Sequence, residues 1–136
     1  MGIQLTKDSV DLGIVVRDGE AALRFYRDTL GLEHVADTPM GPNGTMHRLM
    51  CGTSLIKVIE YQQAPEAANP TGGIPAASGY RYWTISVSNL DELARACETA
   101  GYTVAVPRRE IRPGVRIAMI EDPDGNWVEL LEQAPA

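Results

Sequence analysis

No stretch of this sequence is apolar over anything near the ~20 residues that span a bilayer, so no membrane partner is expected. Basic charge is also short. Twelve Lys and Arg stand against 18 Asp and Glu, a formal net charge of −6, and no basic stripe exists to neutralise phosphates, so no nucleic-acid partner is expected. The N-terminus lacks a basic segment followed by an apolar one, and no export signal is read there. "MGIQLT" fits the loose myristoylation pattern, a short match read as chance. Cysteine is scarce: Cys51 and Cys97 form no CxxC pair and no disulfide framework. Two reduced core thiols in a cytoplasmic protein are the expectation. Cys97, within "NLDELARACETAG", becomes a reactive thiol only beside a cation.

What the chain does have is repetition. Its 136 residues suit one domain, and 44% hydrophobic residues is ordinary for a folded one. "DLGIVVRD" reads as a strand, and "GEAALRFYRDTLGL" as a helix with Ala22, Phe25, Tyr26 and Leu30 on one side, stopped by Gly31. Strand-like runs follow at "TMHRLMC" and "SLIKVIE", joined by a tight turn at Gly52–Ser54. The second half repeats the order: "YWTISVSN", a helix ended by Gly101, "GVRIAMIE", the turn "DPDGN" and "WVELLEQ". A constant offset aligns "VVRD" with "SVSN" and sets Asp11 on Tyr82; one residue more sets Lys57 on Glu129. The reading is α+β in a single domain over 1–136, with related modules at 9–60 and 81–133. Between them, 61–80 is too rich in Pro, Gly and Ala for regular structure. It is either a surface linker or a flap over a pocket.

The repeat poses a question. "SLIKVIEY" carries a lysine at its centre, whereas the matching place in "NWVELLEQ" holds a glutamate; Glu60 and Glu132 close the two stretches.

These residues resemble the vicinal-oxygen-chelate proteins, which include glyoxalase I, extradiol dioxygenases, fosfomycin-resistance enzymes and bleomycin-binding proteins. "LGIVVRDGEAALRFYRDTLGLE" is similar to the family's opening strand and helix, and "EDPDGNWVELLE" to its closing hairpin. The resemblance implies two βαβββ modules, a cupped eight-stranded mixed sheet, and commonly a homodimer. It also implies a divalent metal held by four side chains, typically His, Glu or Gln, His, and Glu. Carried over singly, those positions fall on Asp11, Lys57, Tyr82 and Glu129, and Glu129 alone keeps the family's residue.

An ammonium has no lone pair to give a metal and repels it. No metal cofactor is therefore expected; any that bound would use Asp11 and Glu129, with His47 as a further ligand. His34 is read as surface. Lys57 then takes the metal's charge position with Asp11 and Glu129 as counter-ions, as an ammonium able to hold a carboxylate, phenolate or enolate. Tyr82 donates a hydrogen bond, and Asp11 or Glu129 moves a proton. The plain alternative is a satisfied polar plug without chemistry. Strand alternation adds a ligand-binding lining: Leu55 and Ile59 beside Lys57, Thr84 beside Tyr82, and Trp127 beside Glu129, with His47 in a run whose facing is open. Trp127 is either lining or core. Arg108, Arg109, Arg112 and Arg116 in "PRREIRPGVR" read as a solvated loop.

Three functions fit: metal-free isomerase or lyase chemistry on a small oxygen-rich molecule, sequestration of an aromatic drug or metabolite, or a metal-dependent glyoxalase-like lyase or dioxygenase with unusual ligands.

Overall fold

The computed structural model describes residues 2–135. Strand β1 (Leu12–Val16) leads into helix α1 (Gly19–Leu23), which continues as a π-helical segment, Arg24–Thr29. Three strands follow: β2 (Glu33–Pro39), β3 (Gly44–Cys51) and β4 (Ser54–Tyr61). The second module repeats the order with β5 (Tyr82–Ser86), α2 (Leu90–Thr99), β6 (Val104–Arg112), β7 (Val115–Glu121) and β8 (Trp127–Gln133). The strands are hydrogen-bonded as two four-stranded sheets, β1-β4-β3-β2 and β5-β8-β7-β6, rather than as one continuous ladder of eight. In each, the first strand runs parallel to the last and the remaining pairs are antiparallel.

The repeat is exact in register where it matters. Gly13 lies opposite Lys57 in the first sheet, and Thr84 lies opposite Glu129 in the second. Alternation then fixes the faces. Ile56 and Val58 are buried against the helices, which leaves Leu55, Lys57 and Ile59 on the other face of β4. Val128 and Leu130 are buried in β8, leaving Trp127, Glu129 and Leu131 on the equivalent face.

The two closing glutamates do the same work in each module. Glu60 Oε2 accepts from the Gly19 amide at 2.8 Å, and Glu132 Oε1 accepts from the Leu90 amide at 3.0 Å. Each carboxylate thus satisfies an otherwise orphaned donor at a helix N-terminus and complements its dipole. Asp18 adds a side-chain cap to the Ala21 amide in α1, whereas Asn89 makes no such bond in α2.

Strands β2 and β6, implied by the resemblance but assigned to no stretch by the residues alone, form the outer edges. "PRREIR" is therefore edge strand and not loop. Its Arg108, together with Arg116 of β7, clamps Asp91 in the first turn of α2, with contacts of 3.1 and 2.7 Å. The hydrogen bonds from Arg116 and Arg108 bring the Asp91 carboxyl down from 3.8 to about 2. The helix "GEAALRFYRDTLGL" also differs from expectation, because its later part is wound more widely: the Leu30 amide bonds back to the Phe25 carbonyl. That winding buries consecutive aromatics in different directions. Phe25 meets Tyr102 edge-on at 4.8 Å, while Tyr26 packs near Trp83 at 6.3 Å and donates its hydroxyl to Asp122 at 2.6 Å.

Asp122, in the β7–β8 turn, is 4% exposed. Besides Tyr26 it accepts from the Asp124 and Asn126 amides and the Asn126 side chain, at 2.9, 2.8 and 2.9 Å. The core of helix-facing side chains from both modules is continuous around this contact.

Tyr26→Phe is expected to cost about 1.5–3 kcal/mol in denaturant unfolding, as a buried hydrogen bond to a charged acceptor is lost. The Asp91 clamp has a depressed folded pKa, so its contribution is whole above the unfolded value of 3.8 and disappears as pH falls through about 2. Melting temperatures of wild type and Asp91→Asn should differ most above about pH 4 and converge toward pH 2, with the difference shrinking in high salt.

Candidate functional site

Strands β1 and β5, the inner edges of the two sheets, face one another across a groove of about 600 Å³. Asp11, Gly13 and Val15 line one side; Tyr82, Trp127 and the linker residues Tyr80 and Arg81 line the other. Val10, Val15, Tyr80 and Tyr82 are all exposed there, Tyr80 almost fully at 99%. Lys57 and Glu129 stand one strand behind the groove on opposite sides, opposite Gly13 and Thr84.

The first module's half is cationic. Lys57 is half-buried and makes no ion pair within 4.0 Å among the described residues. Directly across the strand pair lies Arg48 of β3, which donates to the Thr38 hydroxyl at 2.9 Å and likewise has no carboxylate partner among the described residues. Two like charges directly opposite are mutually unfavourable. Gly13 leaves the space beside Lys57 open, for a Cβ there would meet only the Ile59 side chain, at 4.0 Å. Met46, Met50, Leu55 and Ile59 surround the two cations on the same face by register.

The second module's half carries the anion. Glu129 is half-buried and accepts the Thr84 hydroxyl at 2.7 Å through Oε1, leaving Oε2 without a protein donor among the described residues. Met119 fills the place that Arg48 holds in the first sheet, opposite Glu129.

The counter-ion arrangement expected around Lys57 is not made. Asp11 pairs instead with Lys7 at 2.7 Å and accepts the Leu55 amide at 3.2 Å. Those two hydrogen bonds lead the causes that lower its pKa, with Lys57 a lesser charge contribution. His47 also departs from expectation. It lies opposite Val58, so it turns to the helix face and not to the lining with Leu55, Ile59 and Thr84. Asp11, Glu129 and His47 therefore do not converge on a displaced metal site. Arg48 escaped the sequence reading for the same reason: in "TMHRLMC" either His47 or Arg48 could have faced the cup, and only the pairing with β4 decides.

Trp127 is both lining and support. Its indole donates to Glu121 at 3.0 Å, and its ring packs beneath Gly73 of the linker. Arg81 ties that linker down through the carbonyls of Gly73, Pro70 and Ile74 at 2.7, 3.2 and 3.3 Å. Gly73 has φ +82°, a conformation that suits its position against the indole. The thiols are inert: burial, then Glu98, pushes Cys97 up to about 11, and burial raises Cys51.

A family model, that of the Glyoxalase/Bleomycin resistance protein/Dioxygenase superfamily, matches residues 8–130. The chain belongs to this superfamily. Solved structures of the superfamily share the fold at low identity. A glyoxalase family protein from Bacillus cereus is 17% identical with a TM-score of 0.82, over 98% of this chain and 97% of that one. A glyoxylase/bleomycin resistance protein/dioxygenase domain from Frankia sp. is 19% identical with a TM-score of 0.77, over 98% and 96%. A glyoxalase I variant from Zea mays is 18% identical with a TM-score of 0.76, over 92% of this chain but 44% of its own length. No curated protein matches the sequence. None of the helices among the described residues is long and apolar enough to cross a membrane.

Against the superfamily's metal, the four carried-over positions make a poor donor set. Asp11 is engaged by Lys7, Tyr82 offers a phenol, and Lys57 as an ammonium offers none, so Glu129 stands as the one free carboxylate.

Removing the Lys57 charge relieves a like-charge contact with Arg48. Lys57→Met is expected to leave stability unchanged or to raise it by up to about 1 kcal/mol in denaturant unfolding. A loss of more than that would mean Lys57 serves the fold.

Proposed function

We propose that this chain is a metal-free acid–base enzyme of the superfamily, of isomerase or lyase type, acting on a small organic substrate with an anionic or oxyanionic group. The observation that carries the reading is the polarity of the two halves. Lys57 and Arg48 are unpaired cations on one side, and Glu129 has a free carboxylate oxygen on the other. An unpaired cation on a partly apolar face is costly for folding alone and useful for an anion. Lys57 and Arg48 hold the substrate's oxyanion and stabilise charge that develops on it. Glu129, oriented by Thr84, takes or returns the proton. Tyr82 donates a hydrogen bond from the groove's edge. Asp11, already bound to Lys7, is left a supporting role. No step in this scheme passes through a metal.

A second reading is favoured by the groove itself. Val10, Val15, Tyr80, Tyr82 and Trp127 suit a flat aromatic ligand bound without conversion. The same apolar strip suits a second copy of the chain, in keeping with the homodimer that the resemblance implies.

A library of small carboxylates, α-hydroxy ketones and phenols, screened by thermal shift and then by mass analysis for conversion, separates these readings. Under the enzyme reading, Lys57→Met and Glu129→Gln each lower turnover at least a hundredfold while fold and hydrodynamic size stay unchanged. Ligand recovered intact, with affinity lost in Trp127→Ala but kept in Lys57→Met, would replace it with sequestration.

A further inference from the structure

On the helix side of the first sheet, away from the groove, His34, Asp37 and His47 bring three potential metal-ligating atoms within 4.8 Å of one another. Asp37 Oδ1 contacts His34 Nε2 at 2.6 Å and His47 Nδ1 at 2.8 Å. We infer that this trio is a binding site for a borderline divalent cation of the zinc class, separate from the superfamily's metal position.

Three features support it. The first is backbone geometry. In a regular strand, residues three apart point to opposite faces, so His34 and Asp37 would not meet. The register of β2 shifts between His34 and Ala36, a bulge that sets His34 opposite Leu49 and Asp37 opposite His47. Leu49 and His47 are two apart in β3, so both β2 residues end on one face.

The second is the comparison between modules. β6 carries a register shift at the matching place, between Val104 and Val106, so the bulge belongs to the fold. Yet the position of His47 is Ala118 in the second module, and Val104 follows the helix there much as His34 does, both apolar. The second module forms the same bulge without such a trio, so the bulge does not require it and its chemistry is particular to the first module.

The third is the outer support. His47 Nε2 is buried and has no hydrogen-bond partner, yet it faces Glu60 Oε1 at 3.7 Å. A metal on Nδ1 leaves Nε2 as the N–H, directed at a carboxylate, as ligating imidazoles usually are. Glu60 is itself fixed by the Gly19 amide, and a Cβ at Gly19 would strike both the Glu60 carboxylate and His47 Nε2.

Two imidazoles and a carboxylate suit zinc, cobalt or nickel better than magnesium or calcium. With bonds of about 2.0–2.1 Å, tetrahedral ligand atoms sit roughly 3.3 Å apart. Asp37 must therefore draw back from each ring by about half an ångström or more, and the two ring nitrogens, within 4.8 Å of one another, must close by up to roughly 1.5 Å. Its carboxylate is 52% exposed on the edge strand and free to do so. Arg27 Nη1, 3.4 Å from His34 Nδ1, must give up that contact once Nδ1 carries the ring proton; Asp28 holds the same guanidinium through Nε and Nη2 at 2.8 and 3.2 Å. Water completes the coordination on the open side.

The chain has two histidines, which makes the test clean in tag-free protein. Cobalt titration should give a visible absorption band saturating at one ion per chain and bleached by zinc. Zinc should shift the ring nitrogen resonances of both histidines. His34→Gln and Asp37→Asn should each weaken cobalt binding at least tenfold, whereas Glu129→Gln leaves it intact. His34→Gln and Asp37→Asn lie on an exposed edge strand, so they carry the test if His47→Gln fails to fold. No saturable band in wild type, binding unchanged by these variants, or binding lost in Glu129→Gln would each overturn the inference.

Discussion

Asp122 is a carboxylate taken almost wholly out of water, a placement that costs several kcal/mol unless each lone pair is met. Three of its hydrogen bonds come from its own turn and close the β7–β8 hairpin; the fourth comes from Tyr26 in the other module. The turn that launches Trp127 and Glu129 is thereby anchored to the helix that follows β1. Arg17 adds to the join, its amide lying 3.3 Å from Asp124. Together with the apolar core shared by both modules, this contact joins the halves that carry β1 and β5. The π-helical winding of Arg24–Thr29 belongs to the same constraint, because it lets Tyr26 reach the turn while Phe25 reaches Tyr102.

Around that anchor each module is held by a repeated device. The glutamate that ends the last strand satisfies the first helical amide, Glu60 for Gly19 and Glu132 for Leu90. This joins the parallel strand pair to the helix crossing over it, which explains why both stretches close on the same residue type while their centres differ. The central position faces the groove side and differs between the modules; the closing one faces the helix and is glutamate in both.

Much of this was legible in the residues. Internal offsets located equivalent positions, and alternation placed Thr84 beside Tyr82; Trp83 and Ile85, on the opposite face, pack on the core. The edge strands were not legible, for a physical reason. In "EHVADTP" a bulge breaks the alternation, and "VAVPRREIR" carries a proline and a run of charges suited to a solvated edge. The charge partners were hidden too. Nothing local distinguishes Lys7 from Lys57 as the neighbour of Asp11, nor His47 from Arg48 as the cup-facing residue of β3; both depend on pairings between distant segments.

The lysine and glutamate at matching places in the two sheets have a consequence for assembly. A pair of identical single modules related by twofold symmetry would present lysine to lysine, or glutamate to glutamate, and each pair would repel. Tethering two modules in one polypeptide lifts that restriction, so the halves can differ and the cleft between them acquires a direction. A ligand held between Lys57 and Glu129, as the proposed function requires, would meet a cation on one side and a carboxylate on the other, and so would have one preferred orientation where a symmetric cleft would offer two.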